Sequence, residues 1–206
     1  MTPVQAPIEE AKENLRVIRQ TMDRSTKYST LSGWSGILIG MIALLSVSIS
    51  GRYMRTVSPG STIVASPLLH LALIWSSALV AAICVDFVWN KRRASGVGKR
   101  IVSKLGAHVV LAALPAFFAG GILSYFLYSH GLIWYVWPTW TLCYGLAICA
   151  VGIFSVRPVS VLGSAFVILG AISILLPAHF QTLLMAVSFG GFHIAYGAVM
   201  GRKYGW

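Results

Sequence analysis

Long apolar runs divided by short polar connections set the pattern of this chain. Six runs stand out, at roughly 31–50, 66–90, 106–129, 133–155, 158–176 and 181–200. A bilayer core about 30 Å thick takes about 20 apolar residues for one helical crossing, and each run meets that length or comes close. Between residues 31 and 203 they leave no room for a second folded domain. The pattern predicts an all-α polytopic membrane protein, with six transmembrane helices forming one bundle.

Residues 1–30 are polar, so no secretory signal peptide is expected. Within them, 7–28 read as a helix outside the bilayer. Pro7 suits a first helical position, and Glu9 and Glu10 put negative charge where the helix dipole favours it. Ile8, Ala11, Leu15, Ile18 and Met22 recur at alternating gaps of three and four, an amphipathic seam. Such a helix lies on the headgroups or under the bundle, or it docks a partner or a second copy through Leu15, Ile18 and Met22. Two heptads alone are marginal as a coiled coil, so docking needs further contacts.

Composition sharpens the class. Charged residues are 10% of the chain and hydrophobic ones 57%, whereas a soluble domain carries about a quarter charged. The net charge of +11 does not point to nucleic acid, because it sits in the connections. Lys12, Arg16, Arg19, Arg24 and Lys27 precede the first run. Lys91, Arg92, Arg93, Lys99, Arg100 and Lys104 fill the second connection. Arg157 lies in the fourth, and Arg202 and Lys203 follow the last run. Only Arg52 and Arg55 fall on the opposite side. The positive-inside rule then expects both termini in the cytoplasm, with the bilayer itself, including anionic lipid, as the first partner.

Inside the runs, small and polar residues carry the information. Gly33, Gly36 and Gly40 form the small-xxx-small device that lets helix backbones approach. Pro115 is expected to kink the third helix, and Gly190-Gly191 to weaken the sixth. Cys84, Cys143 and Cys149 have no metal or disulfide spacing. His130, Trp134, Tyr135, Trp137 and Trp140 cluster before and within the fourth helix, either as an outer aromatic belt or as the wall of a pocket. Tyr144-Gly145 and Tyr196-Gly197 are a faint repeat, to be read as a trace of duplication or as a shared packing need.

Few side chains could do chemistry. Asp86 is the one acidic residue beyond the N-terminal segment, and His108 lies at similar depth on the next helix; the two could form an inner-face polar pair. His193 is deeper, shares a face with Tyr196 three residues on, and must be hydrogen-bonded, for which a tyrosine or a freed backbone carbonyl would serve. That makes His193, Tyr196 and Tyr144 a ligand site or an interhelical tie. His70, His130 and His179 all fall towards the outer side and could hold zinc or copper. No second histidine matches the depth of His193 for haem. The chain has no phosphate loop, HExxH, nucleophile elbow or paired intramembrane carboxylates, so neither an enzyme nor a cofactor is expected.

The segments ENLRVIRQTMDRSTKYSTLSGWSGILIG, WPTWTLCYGLA and GFHIAYGAVMGRKYG together resemble a family of small six-helix bacterial inner-membrane proteins, over essentially the whole chain. Arg24, Ser25, Gly33, Gly36, Tyr144, His193, Tyr196 and Gly197 are the matched positions. The resemblance implies architecture and bacterial origin, and no catalytic residue, because the family has no assigned activity.

Three functions follow as expectations. The first is a sensing or scaffolding module read out through the N-terminal helix. The second is a small-solute or ion carrier with a polar site near His193 and Tyr144. The third is a histidine metal or haem protein.

Overall fold

A computed structural model describes residues 13–15, 32–56, 65–96 and 104–204, which are helical with no β-strand among the elements. Helix α1 is Gly33–Thr56, α2 is Ala65–Gly96 and α3 is Lys104–Ser129. A 3-10 turn, Ile133–Tyr135, leads into α4, Val136–Gly152, and α5 follows as Arg157–Leu175. The last rod is continuous: a 3-10 turn Ala178–Phe180, α6 Gln181–Met185, a π-helical segment Ala186–Phe192, and α7 His193–Tyr204. Five stretches are long and apolar enough to cross a membrane: Gly33–Met54, Leu69–Trp89, Gly106–Ser129, Arg157–Leu175 and Ala178–Lys203. Helix α4, from the fourth apolar run, is not among them: it has 17 residues and is shorter than the 133–155 run. Of the N-terminal amphipathic segment only Glu13–Leu15 are described, helical and exposed; Ile18, Met22, Arg24 and Ser25 lie outside the described residues.

Turn chemistry explains where the helices stop. At the end of α3, Gly131 takes φ +73. Its N–H bonds the Tyr128 carbonyl at 3.0 Å, and Leu132 N–H reaches the Leu127 carbonyl at 2.8 Å. This is a Schellman closure, which needs a left-handed residue that glycine adopts without penalty. After α4, Val156 is extended and Pro158 sits in the first turn of α5, where its missing N–H costs nothing. Pro115 lies within α3, which runs through it without a break.

Two glycine seams hold the rods together. Along α1, a Cβ on Gly36 would stand 2.8 Å from the Gly197 Cα, and one on Gly33 would press on Gly201. Gly40 faces the Gly190 carbonyl, so the small-residue ridge of α1 meets a matching ridge on the last rod. Between α4 and α5, a Cβ on Gly145 would stand 2.6 Å from the Val167 backbone nitrogen, and Gly163 and Gly170 return the close approach against Cys149 and Leu142. With no hydrophobic drive between helices in lipid, such backbone approach supplies the packing energy.

The contacts place the rods in the order α2, α1, last rod, α5, α4, α3. The chain's first and last rods are thus neighbours. Helices α2 and α3, consecutive in sequence, stand at the two ends of the arc and share no extensive contact among the described residues. Both expose long apolar faces, including Leu73, Val80, Ile83, Leu111 and Phe118. Inside the arc lies an apolar cluster of Val47, Met54, Leu71, Ile133, Trp137 and Met185.

Candidate functional site: an intramembrane chamber at Tyr144 and His193

The site begins with an interruption of helical geometry. Over Ala186–Phe192 the last rod widens to a π-helix, a rare geometry that recurs at functional sites. At its end the His193 N–H bonds to the Gly190 carbonyl, and the His193 ring reaches back to the Phe189 carbonyl, with Nδ1 at 2.8 Å. On the facing wall, α4 presents Tyr144, whose hydroxyl lies 2.8 Å from His193 Nε2.

The protons of this relay follow from its acceptors. A carbonyl oxygen can only accept, so Nδ1 carries the hydrogen and donates to Phe189. In the neutral ring Nε2 is then the acceptor, and the Tyr144 O–H donates to it. Both imidazole nitrogens are used, and His193 is 5% exposed. The pair is boxed by rings. Phe166, with no exposed surface, stands edge-on to Tyr144 at 4.9 Å and to His193 at 5.4 Å, and Phe189 lies 5.0 Å from Tyr144. Such edge-to-face contacts fix ring orientation beyond simple burial.

On the open side of Tyr144 is a chamber of about 330 Å³. Residues of α1, α2, α3, α4 and the last rod line it, among them Ala43, Trp75, Phe117, Trp137, Trp140 and Phe189. Among the described residues no Asp, Glu, Lys or Arg is in the wall; its polar residues are Tyr144, His193, Ser76 and Ser124, with the tryptophans Trp75, Trp137 and Trp140. The volume lies within the range of small-molecule pockets, roughly 300–1,000 Å³.

The chamber sorts the sequence expectations. Tyr144 and His193 come together, while Tyr196 turns away into a groove with Phe192 and Val161 between α5 and the last rod. The polar partner of His193 is therefore the tyrosine 49 residues distant, not the one a turn along its own helix. The aromatic cluster splits: Tyr135 is 43% exposed, while Trp137 is 4% exposed and, with Trp140, lines the chamber. Gly145 and Gly197 both sit where another helix's backbone comes close.

Asp86 meets α1: the Ser35 hydroxyl is 3.1 Å from its Oδ1 and 2.9 Å from the Ser32 carbonyl. His108 lies against Phe154 at 6.2 Å between ring centres. His70, His130 and His179 have separate neighbours. His70 stacks on Tyr53, His130 bonds the Phe126 carbonyl at 2.9 Å, and His179 packs on Phe180. Among the described residues no three His, Cys, Asp or Glu side chains converge as a metal site.

Phe166, Phe189 and the Ser173–Gln181 pair are additions that periodicity did not mark. Ser173 Oγ donates to Gln181 Oε1 at 2.6 Å, and Gln181 Nε2 donates to the Ser173 and Leu176 carbonyls at 2.7 and 3.2 Å, closing the α5–α6 turn. A lone Gln after a Pro in an apolar stretch was the one available signal. No protein-family model, curated protein or solved structure matches the chain.

Proposed function

We propose that this is a membrane-embedded binding module whose chamber holds a small, largely apolar molecule against the Tyr144–His193 pair. The observation that carries this reading is a tautomer-defined polar pair in the wall of an apolar chamber of about 330 Å³. A buried pair serving only to tie helices needs no cavity beside it. In this reading the protein crosses a bacterial cytoplasmic membrane six times, with α4 as the short crossing and both termini inside. The Lys and Arg distribution supports the orientation. The resemblance to small inner-membrane proteins supports the bacterial setting.

The use made of binding is sensing: the N-terminal helix, with Leu15 exposed, passes occupancy to a cytoplasmic partner or a second copy. A carrier is the second reading, favoured by the π-helical segment at the polar pair, since interrupted helices line transporter sites.

Native mass spectrometry of gently extracted protein tests the common core. Wild type is expected to carry a small-mass adduct, reduced in His193→Ala and absent in Ala43→Phe, which fills the chamber. A bare wild-type mass after extraction into native-lipid discs overturns the reading. Paired substitution of Leu15 and Ile18 by Glu then tests the readout, and uptake of the identified adduct tests carriage.

A further inference from the structure

Two of the chamber's lining hydroxyls, those of Tyr144 and Ser124, spend their protons on the protein. Tyr144 gives its proton to His193 Nε2, because Nδ1 of that ring is committed to the Phe189 carbonyl. Ser124, the half-buried hydroxyl on α3, donates to the Gly120 carbonyl at 2.7 Å. What both present to the cavity is oxygen lone pairs. The third lining hydroxyl, Ser76, is exposed. Trp75, Trp137 and Trp140 also line the chamber.

Resting on the binding reading above, we infer that the chamber selects a ligand that donates a hydrogen bond, an apolar molecule bearing an alcohol or phenol hydroxyl. A hydroxyl donates to the Tyr144 oxygen. An ether or ketone of the same shape can only accept, so it leaves the Tyr144 lone pairs desolvated and unpaired, which costs about a hydrogen bond. A carboxylate or phosphate finds no cation among the described residues of the wall. The aromatic faces hold the body of the ligand, and the hydroxyl sets its orientation.

The test uses 4-bromophenol and 4-bromoanisole, alike in shape, with bromine to quench tryptophan. Quenching is titrated in purified full-length protein, with Ala43→Phe as the baseline for quenching through the detergent. The phenol is expected to bind about threefold to tenfold tighter than the anisole, the span of one net hydrogen bond. His193→Leu releases the Tyr144 proton, so the anisole gains a donor and the ratio falls towards one. Equal affinities in wild type overturn the donor rule while leaving binding intact, and so does a ratio that His193→Leu does not change. Where that variant fails to fold, the wild-type ratio decides alone. If neither probe quenches above baseline, the binding reading itself falls.

Discussion

At Tyr144 the hydroxyl is both a structural tie and the polar end of the chamber, and the two roles separate on substitution. Tyr144→Phe keeps the ring against Phe166 and Phe189 but leaves Nε2 of His193 without its donor. An unpaired buried acceptor costs about 1–3 kcal/mol, so thermal unfolding in detergent is expected several degrees lower. Gln181→Leu removes three hydrogen bonds in one step and strands the Ser173 hydroxyl. A comparable loss is expected there, with no change in probe binding. Trp134 makes the opposite case. Its indole N–H is buried with no partner among the described residues, so Trp134→Phe removes a desolvated donor and should leave the melting temperature nearly unchanged. A large drop would show that the N–H has a partner. The residue scale was partly legible. His193 announces a hydrogen-bonding need because apolar surroundings leave it no water. Its partner was not legible, since i+3 spacing favours Tyr196 and only the α4–last-rod approach brings Tyr144 within 2.8 Å.

Glycine positions decide how close the rods come. Gly145→Leu sets a side chain against the Val167 backbone and is expected to stop α4 and α5 from packing, read as loss of a monodisperse peak on gel filtration. Gly191, by contrast, has nothing within 4 Å of a would-be Cβ, and Gly191→Ala should fold normally. The π-segment invites a sharper experiment. A π-bulge behaves as one residue inserted into an α-helix, so deleting Gly191 should restore α geometry without rotating Gly197 and Gly201 away from α1. The fold is expected to survive and the bromophenol preference to vanish, because the His193 ring no longer reaches the Phe189 carbonyl. Of these elements, the ridge Gly33, Gly36 and Gly40 could be read from the sequence, since small residues at that spacing have one common use. The facing ridge Gly190, Gly197 and Gly201 could not be assigned to it, because spacing says a helix is approached without saying by which. The weakness at Gly190-Gly191 was visible; that it takes the form of a wider helix and not a break was not, and a Cβ on Gly190 there would meet Leu44 of α1.

For the whole molecule, hydrophobic runs predict rods well and their order poorly, because a pattern of apolar residues records length and not neighbours. The chamber exists because α2 and α3 stand apart at the ends of the arc, and short connections alone would have suggested a hairpin. The same order has a consequence for how the protein is made. Helix α1 and the last rod form one seam, yet nearly the whole bundle is translated between them. At ~5–20 residues per second, α1 waits on the order of ten seconds for the backbone it is shaped to meet. Until then its glycine ridge faces lipid or the insertion machinery. A nascent chain halted after Leu176 therefore holds every rod but the one that joins α1 to α5 in the middle of the arc. Such a product is expected to be short-lived in cells and to be rescued when the segment 177–206 is supplied as a separate chain, which pulse–chase of the split protein would show.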